Sequence, residues 1–342
     1  MQHLFSKLKL SFKSPTKIQD LVWKSKINNY IIQSPPGTGK TLAYAIHLKN
    51  NLQPSDFHPK ALVVAPTTLL AEQIGHDMKL VDMDVQIIHG GLNYGQRKKR
   101  TNLNSEIVVS TPGYMNKYGK EFNLKPLQFC IFDEMDVLLD RKDEDNAISL
   151  LDRIGPQTYK WFVGATQTEA ALAIIEENCP SLTNIFANVS TDQPQMLYLD
   201  SRTSSYDDMM KAVKSILSIP KNTLIFVNKK GTVKRLVREF AEFHPKVLNK
   251  PEEDYGISTI DALKALRYKI DPEPLLIISS QLIERGIDFV HLERIILFDA
   301  PYSMNSLIHR IGRLRFASKK QVIICVTDKN HELLKEFKLI KK

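Results

Sequence analysis

Apolar residues are not spread evenly along this chain but come in short runs. Residues 31–33, 61–65, 85–88, 107–110, 129–132 and 161–163 are mostly apolar, strand-like stretches, rich in Val, Ile and Phe. Runs of that length and kind predict strands buried on both faces. Between most of them the apolar positions recur at helical spacing, as in residues 42–48. The alternation predicts a mostly parallel sheet with helices on both faces. The second half repeats the scheme at 195–198, 224–226, 275–278, 294–298 and 321–326, with a helical pattern over 260–270. The polar stretch 188–192, followed by Gln193 and Pro194, reads as a linker. The pattern therefore predicts an α/β chain of two lobes, 1–190 and 191–342.

Two segments carry recognisable chemistry. Ser34-Pro35-Pro36-Gly37-Thr38-Gly39-Lys40-Thr41 lies between a predicted strand and a predicted helix. Gly37 and Gly39 let the backbone curl so that N–H groups point inward at phosphate oxygens, and the helix N-terminus adds its positive end. Lys40 is placed for the β- and γ-phosphates, and the Thr41 hydroxyl for Mg²⁺. The general pattern begins with Gly, where this chain has Ser34. Asp133-Glu134-Met135-Asp136 follows an apolar run, at the strand end where α/β sheets carry ligands. There Asp133 suits Mg²⁺, and Glu134 suits orienting or deprotonating a water.

From about residue 12 to about residue 328, the chain resembles the DEAD-box RNA helicases, two-lobed ATPases of helicase superfamily two. Phe12 and Ser14-Pro15-Thr16-Lys17-Ile18-Gln19 match the adenine-reading motif, in which Gln19 takes the base edge. The phosphate loop follows, with Gly37, Thr38, Gly39, Lys40 and Thr41. Pro66-Thr67-Thr68-Leu69-Leu70-Ala71, Gly90-Gly91 and Thr111-Pro112-Gly113 match the segments that line the family's RNA groove. Asp133 to Asp136 stand where the family has DEAD. Gly164-Ala165-Thr166 stand where it has SAT, the element coupling hydrolysis to strand separation. In the second half, residues 225–228, Ser280, Arg285-Gly286-Ile287-Asp288 and His309-Arg310-Ile311-Gly312-Arg313 match the remaining motifs in family order. The resemblance implies two RecA-like lobes, the first holding ATP. It assigns Asp288 to the ribose, and Arg313 and Arg310 to the nucleotide from the far lobe.

Several positions depart from the family pattern. Thr68, Leu69 and Leu70 replace Arg-Glu-Leu, and Tyr114 replaces the Arg of TPGR, so two cations that face the RNA backbone are missing. Gly164 replaces a Ser. Gln281 replaces an Asp after Ser280. Phe316 stands where a further arginine is usual, with Arg315 one residue early. The set for holding ATP is complete, while the set for gripping RNA and coupling is diluted.

Composition narrows the rest. The chain has 342 residues, 43% hydrophobic and 25% charged, which suits two globular cores. No apolar run is long enough for a membrane span. Cys130, Cys179 and Cys325 are scattered and form no CxxC, so buried thiols are expected. The formal net charge of +9 suits a phosphate-backbone partner. Arg97-Lys98-Lys99-Arg100 reads either as an RNA contact or as a solvated helix face. Residues 1–13 hold no acid and form an amphipathic pattern that reads either as a mitochondrial targeting helix, although it lacks Arg, or as a structural part of the first lobe, with cytoplasm or nucleus as alternative compartments. Few residues follow Leu339, so targeting is expected from protein partners of a monomeric core. The expected activity is an RNA-stimulated ATP hydrolase that remodels RNA, with weak sequence preference. The alternatives are an ATP-dependent RNA clamp and a DNA-directed helicase, against which Gln19 and His309 argue.

Overall fold

The computed structural model describes residues 14–90, 105–119, 122–139, 144–187, 194–200, 202, 205–247, 274–280, 289, 291–314, 320–328 and 330–336. Internal contacts divide the chain into two units, Met1–Ser190 and Thr191–Lys342. The linker at 188–193, the basic run at 97–100, the helix expected at 260–270 and the amphipathic residues 1–13 lie outside the described residues.

The first unit is a seven-stranded sheet, and every pairing in it is parallel. Its strands are β1 (Tyr30–Gln33), β2 (Ala61–Val64), β3 (Val85–Ile88), β4 (Ile107–Ser110), β5 (Phe129–Asp133), β6 (Tyr159–Gly164) and β7 (Thr183–Phe186), in the spatial order β3-β4-β2-β5-β6-β1-β7. The helices are α1 (Lys17–Lys24), α2 (Lys40–Asn51), α3 (Thr68–Leu80), α4 (Pro112–Tyr118), α5 (Met135–Leu138), α6 (Glu144–Leu151) and α7 (Glu169–Asn178).

Both faces of this sheet are covered, because successive side chains of a strand point to opposite sides. Ala61 and Val63 pack with Tyr44, Leu48 and Ile74 in one core, while Leu62 and Val64 pack with Met115, Leu138 and Leu150 in the other. Each fully buried side chain of this size is worth roughly 1.5–3 kcal/mol. The fit is close: a β-carbon at Gly75, in mid-helix, would lie 2.3 Å from Cγ1 of Ile87. Glycine there lets α3 lie directly on β3.

The second unit holds a six-stranded parallel sheet: β8 (Gln195–Asp200), β9 (Thr223–Phe226), β10 (Lys246–Val247), β11 (Leu276–Ser279), β12 (Arg294–Leu297) and β13 (Gln321–Val326), in the order β10-β11-β9-β12-β13-β8. One face packs against α8 (Tyr206–Leu217) and α9 (Lys230–Glu239) through Val213, Leu236, Ile225 and Ile296. On the other face Arg310, from α10 (Met304–Ile311), lies over the Phe226 ring at 5.2 Å. Arg294 is buried, and its guanidinium donates to the carbonyl of Ile216, in the last turn of α8, and to that of Ile219, just beyond it.

Every run expected to be a strand is one. The pattern missed β7 and β10. Ile185 is the one buried position of β7 and Val247 the one buried position of β10. Neither forms an apolar run, and pairing with β1 and β11 makes them strands. The three cysteines are free and buried, and burial pushes the Cys325 thiol up to about 12. Among the described residues no helix is long and apolar enough to cross a membrane.

Candidate nucleotide and nucleic-acid site

Strand order decides what meets what in the first unit. β1, β6 and β5 are adjacent, so the residues that follow or end them share one end of the sheet. These are the loop from Ser34, then Gly164, then Asp133. β2, β4 and β3 fill the other half of the same edge and deliver Pro66-Thr67, Thr111 and Gly90. Parallel strands gather their carboxyl ends on one side, where α/β sheets bind ligands.

The phosphate loop is held from several directions. Gly37 and Gly39 have φ of 80° and 88°, in the left-handed region that glycine tolerates. The Ser34 and Thr38 hydroxyls are 2.6 Å apart, and Thr38 also donates to the Pro35 carbonyl. The Lys40 ammonium donates to the carbonyls of Ser34 at 2.9 Å and Pro35 at 3.2 Å.

The start of α1 is joined to this loop. Thr16 and Gln19 form a capping box, the Thr16 hydroxyl donates to the Thr38 carbonyl at 2.7 Å, and Gln19 Nε2 donates to the Gly39 carbonyl at 3.3 Å. A β-carbon at Gly39 would lie 2.3 Å from Gln19 Nε2, so glycine is needed for space as well as for φ. Gln19, expected to read a base, therefore also reports on the shape of the loop. Phe12 lies outside the described residues.

Asp133 is 4% exposed. Burial, with Glu134 beside it, raises its carboxyl to about 6, although Lys40 and the Tyr44 hydroxyl act in the opposite direction. Tyr44 donates to Oδ2 at 2.9 Å, and the Glu134 N–H donates to Oδ1 at 2.9 Å. Glu134 has φ of 53°, a strained value for a side-chain-bearing residue, and it begins α5. The sharp turn puts the acidic pair at the strand end rather than along a helix face. Asp136 accepts from the Thr166 hydroxyl at 2.8 Å, which ties the acidic tetrad to the element after β6. Ser34 N–H donates to the Gly164 carbonyl at 3.3 Å, and Gln33 Nε2 to that of Ala165 at 3.4 Å.

The expected RNA-facing residues lie on helix starts. Thr67 caps α3 by accepting from Leu70 N–H, with Pro66 just before it. Thr111 precedes α4, Pro112 is its first residue, and Gly113 and Gly90 are exposed with open space above them. Thr68 is exposed, whereas Tyr114 is buried and packs 5.0 Å from the Tyr118 ring. The replacement at 114 thus serves the core. Gly91 lies outside the described residues.

In the second unit His309, Arg310 and Arg313 are buried. Arg310 donates to the Asn228 side chain at 2.8 Å and the Asp299 carbonyl at 3.1 Å, while Asn228 N–H donates to the Asp299 carboxylate at 2.7 Å. Arg310 thus binds β9 to the segment after β12, within its own unit. Arg313 Nε donates to the His309 carbonyl. Ser280 is buried beside Ser279, and Asp288 and Arg315 lie outside the described residues.

Sequence reasoning did not find Tyr44, Met135 as a contact of Gly164, or the Asn228–Arg310 pair. Tyr44 lies four residues after Lys40, one helical turn further along α2. That spacing was the available signal.

Comparison with known proteins follows the same division. The DEAD/DEAH box helicase family pattern matches residues 16–175, and the helicase conserved C-terminal domain pattern matches 208–317. The RNA helicase CrhR of Synechocystis is 27% identical over 319 residues, covering 89% of this chain and 63% of that protein. The chain thus spans just under two thirds of that relative. The ATP-dependent RNA helicase eIF4A of Yarrowia lipolytica is 26% identical, covering 95% of this chain and 85% of that protein. Among solved structures, S. cerevisiae Dbp5 bound to RNA and ADP BeF3 superposes with a TM-score of 0.79 at 24% identity, covering 98% of this chain and 94% of that one. The DEAD-box helicase Mss116 bound to ssRNA and UDP-BeF gives 0.79 at 20% identity, covering 99% and 75%. These two likenesses show the fold, two RecA-like units.

Proposed function

This chain belongs to the DEAD-box RNA helicase family, and we propose that it hydrolyses ATP in its first unit and uses the nucleotide cycle to remodel RNA. One observation carries the reading: adjacent β1, β6 and β5 bring the Lys40 loop, Thr166 and the Asp133–Glu134 pair to one strand edge. Gly37, Thr38 and Gly39 cradle phosphates, Lys40 neutralises the β- and γ-oxygens, and Gln19 meets the base. Thr41 and Asp133 would hold Mg²⁺. The fit rests on hard oxygen donors and on a buried carboxylate that burial raises to about 6, where a bound cation would favour the charged form. Bound there, Mg²⁺ would supply positive charge against the negative phosphate oxygens. Glu134 orients a water and takes its proton as the oxygen attacks γ-phosphorus, the bridging P–O bond breaks, and ADP leaves. Arg313, Arg310 and Asp288 belong to this cycle by family resemblance.

RNA is the proposed partner, held by backbone and shape through the Pro66–Thr67, Gly90–Gly91 and Thr111–Gly113 segments. Further protein partners would supply targeting, and import into mitochondria is proposed for residues 1–13; a tagged chain that stays in the cytosol removes it. Exposed Thr68 and buried Tyr114 favour a second reading, an ATP-dependent clamp that holds RNA without unwinding it. The test is ATP turnover with and without single-stranded RNA, with Glu134→Gln as the blank. RNA-stimulated turnover lost in that variant supports the ATPase, ATP-dependent RNA retention without turnover supports the clamp, and neither would sink both.

A further inference from the structure

Gly164 ends β6 and touches two motifs at once. Its carbonyl accepts from the N–H of Ser34, at the start of the phosphate loop, at 3.3 Å. A β-carbon built at Gly164 would lie 3.0 Å from Met135 Cγ, 3.2 Å from Asp136 Oδ1 and 3.2 Å from the Thr166 carbonyl. Contacts that short force a neighbour to move, and Met135, with 0% exposure, has little room to do so. The family resemblance places Ala at 135 and Ser at 164. This chain departs at both positions, and the two departures touch: one side chain has grown where the other has shrunk.

We infer that Met135 and Gly164 form a matched pair, in which Met135 is a positioning residue that fills the space of the missing serine and wedges the acidic turn against the end of β6. The Thr166 hydroxyl then supplies the hydrogen bond between the two motifs, to Asp136 at 2.8 Å. Restoring the family serine at 164 alone therefore damages the protein. Overpacking pushes Met135 outward and moves the adjacent Glu134 and Asp136 with it. Met135→Ala alone leaves a cavity over a bare glycine. Only the double change restores a filled interface. The packing stands on its own, while its consequence for turnover rests on the ATPase reading above.

The experiment is a double-mutant cycle on the full chain: the natural protein, Gly164→Ser, Met135→Ala and the double variant. Gly164→Ala, which adds only the β-carbon, replaces the serine variant if the latter does not fold. Melting temperature and RNA-stimulated turnover are both read. Gly164→Ser is expected to lower Tm by roughly 2–8 °C. It is also expected to lower kcat on the order of ten-fold, because small misplacements of catalytic groups are costly. KM for ATP holds, since the Ser34 contact to the Gly164 carbonyl is kept. The double variant recovers most of both losses. Losses that add, or a Gly164→Ser protein as stable and active as the natural one, overturn the pair. If the natural protein shows no turnover, the ATPase reading falls, and the melting cycle still upholds or overturns the pair.

Discussion

The phenol of Tyr44 donates a 2.9 Å hydrogen bond to Oδ2 of Asp133, joining the helix that begins at Lys40 to the end of β5. With the Glu134 N–H on Oδ1, both oxygens of the buried carboxylate are fixed in direction. Removing the hydroxyl leaves a buried acceptor with one partner fewer. Tyr44→Phe is expected to destabilise the first unit by about 1–3 kcal/mol and to weaken ATP binding. Urea unfolding and nucleotide titration measure these effects. An unchanged unfolding midpoint would mean that the bond contributes nothing.

Arg153 places another element. Its guanidinium donates to the carbonyls of Met115 at 2.9 Å, Gly119 at 2.5 Å and Phe122 at 3.4 Å, at and just beyond the C-terminal end of α4. The opposite end of that helix carries Pro112 and Gly113. The planar guanidinium spreads its donors over two nitrogens in a fixed fork, Nη1 for Met115 and Nη2 for Gly119 and Phe122. Arg153→Ala should raise the RNA concentration for half-maximal stimulation by on the order of ten-fold, about 1.4 kcal/mol, with unstimulated turnover kept. Arg153→Lys should fall between. A parallel loss of unstimulated turnover would reduce Arg153 to a general stabiliser.

His47 makes stability depend on pH. Its Nδ1 lies 3.2 Å from the Val22 carbonyl, Nε2 is buried with no hydrogen-bond partner, and the ring lies 4.6 Å from that of Trp161. Burial lowers its pKa below the usual 6.5, so the folded chain keeps it neutral. The unfolded chain takes up a proton first as pH falls, so this contribution is present above about 6.5 and is lost below it. Asp133, raised to about 6, acts in the opposite sense and stabilises the fold more as pH falls. Melting curves of the natural protein and His47→Gln between pH 8 and pH 5 cancel that shared contribution. The natural protein should lose more Tm on acidification, and parallel curves would rule His47 out.

Local chemistry was legible in the residues themselves. Apolar runs such as 61–64 and 129–132 became strands because their burial on both faces is written into consecutive positions. The phosphate loop was readable because its two glycines, its lysine and its threonine act within one turn of chain. Strand order could not be read this way, since it is set by which strands pair, through contacts between residues far apart in sequence.

The sequence by itself therefore determined every strand except β7 and β10, the phosphate loop, the acidic turn and the family to which they point. Only the tertiary structure decided that Tyr44 meets Asp133, that Met135 occupies the space beside Gly164, that Tyr114 faces the core and that Arg310 is held by Asn228 and Asp299. Each of these joins side chains from separate segments. Their distances exist only once strands distant in the chain lie side by side and close packing leaves each space to a single occupant.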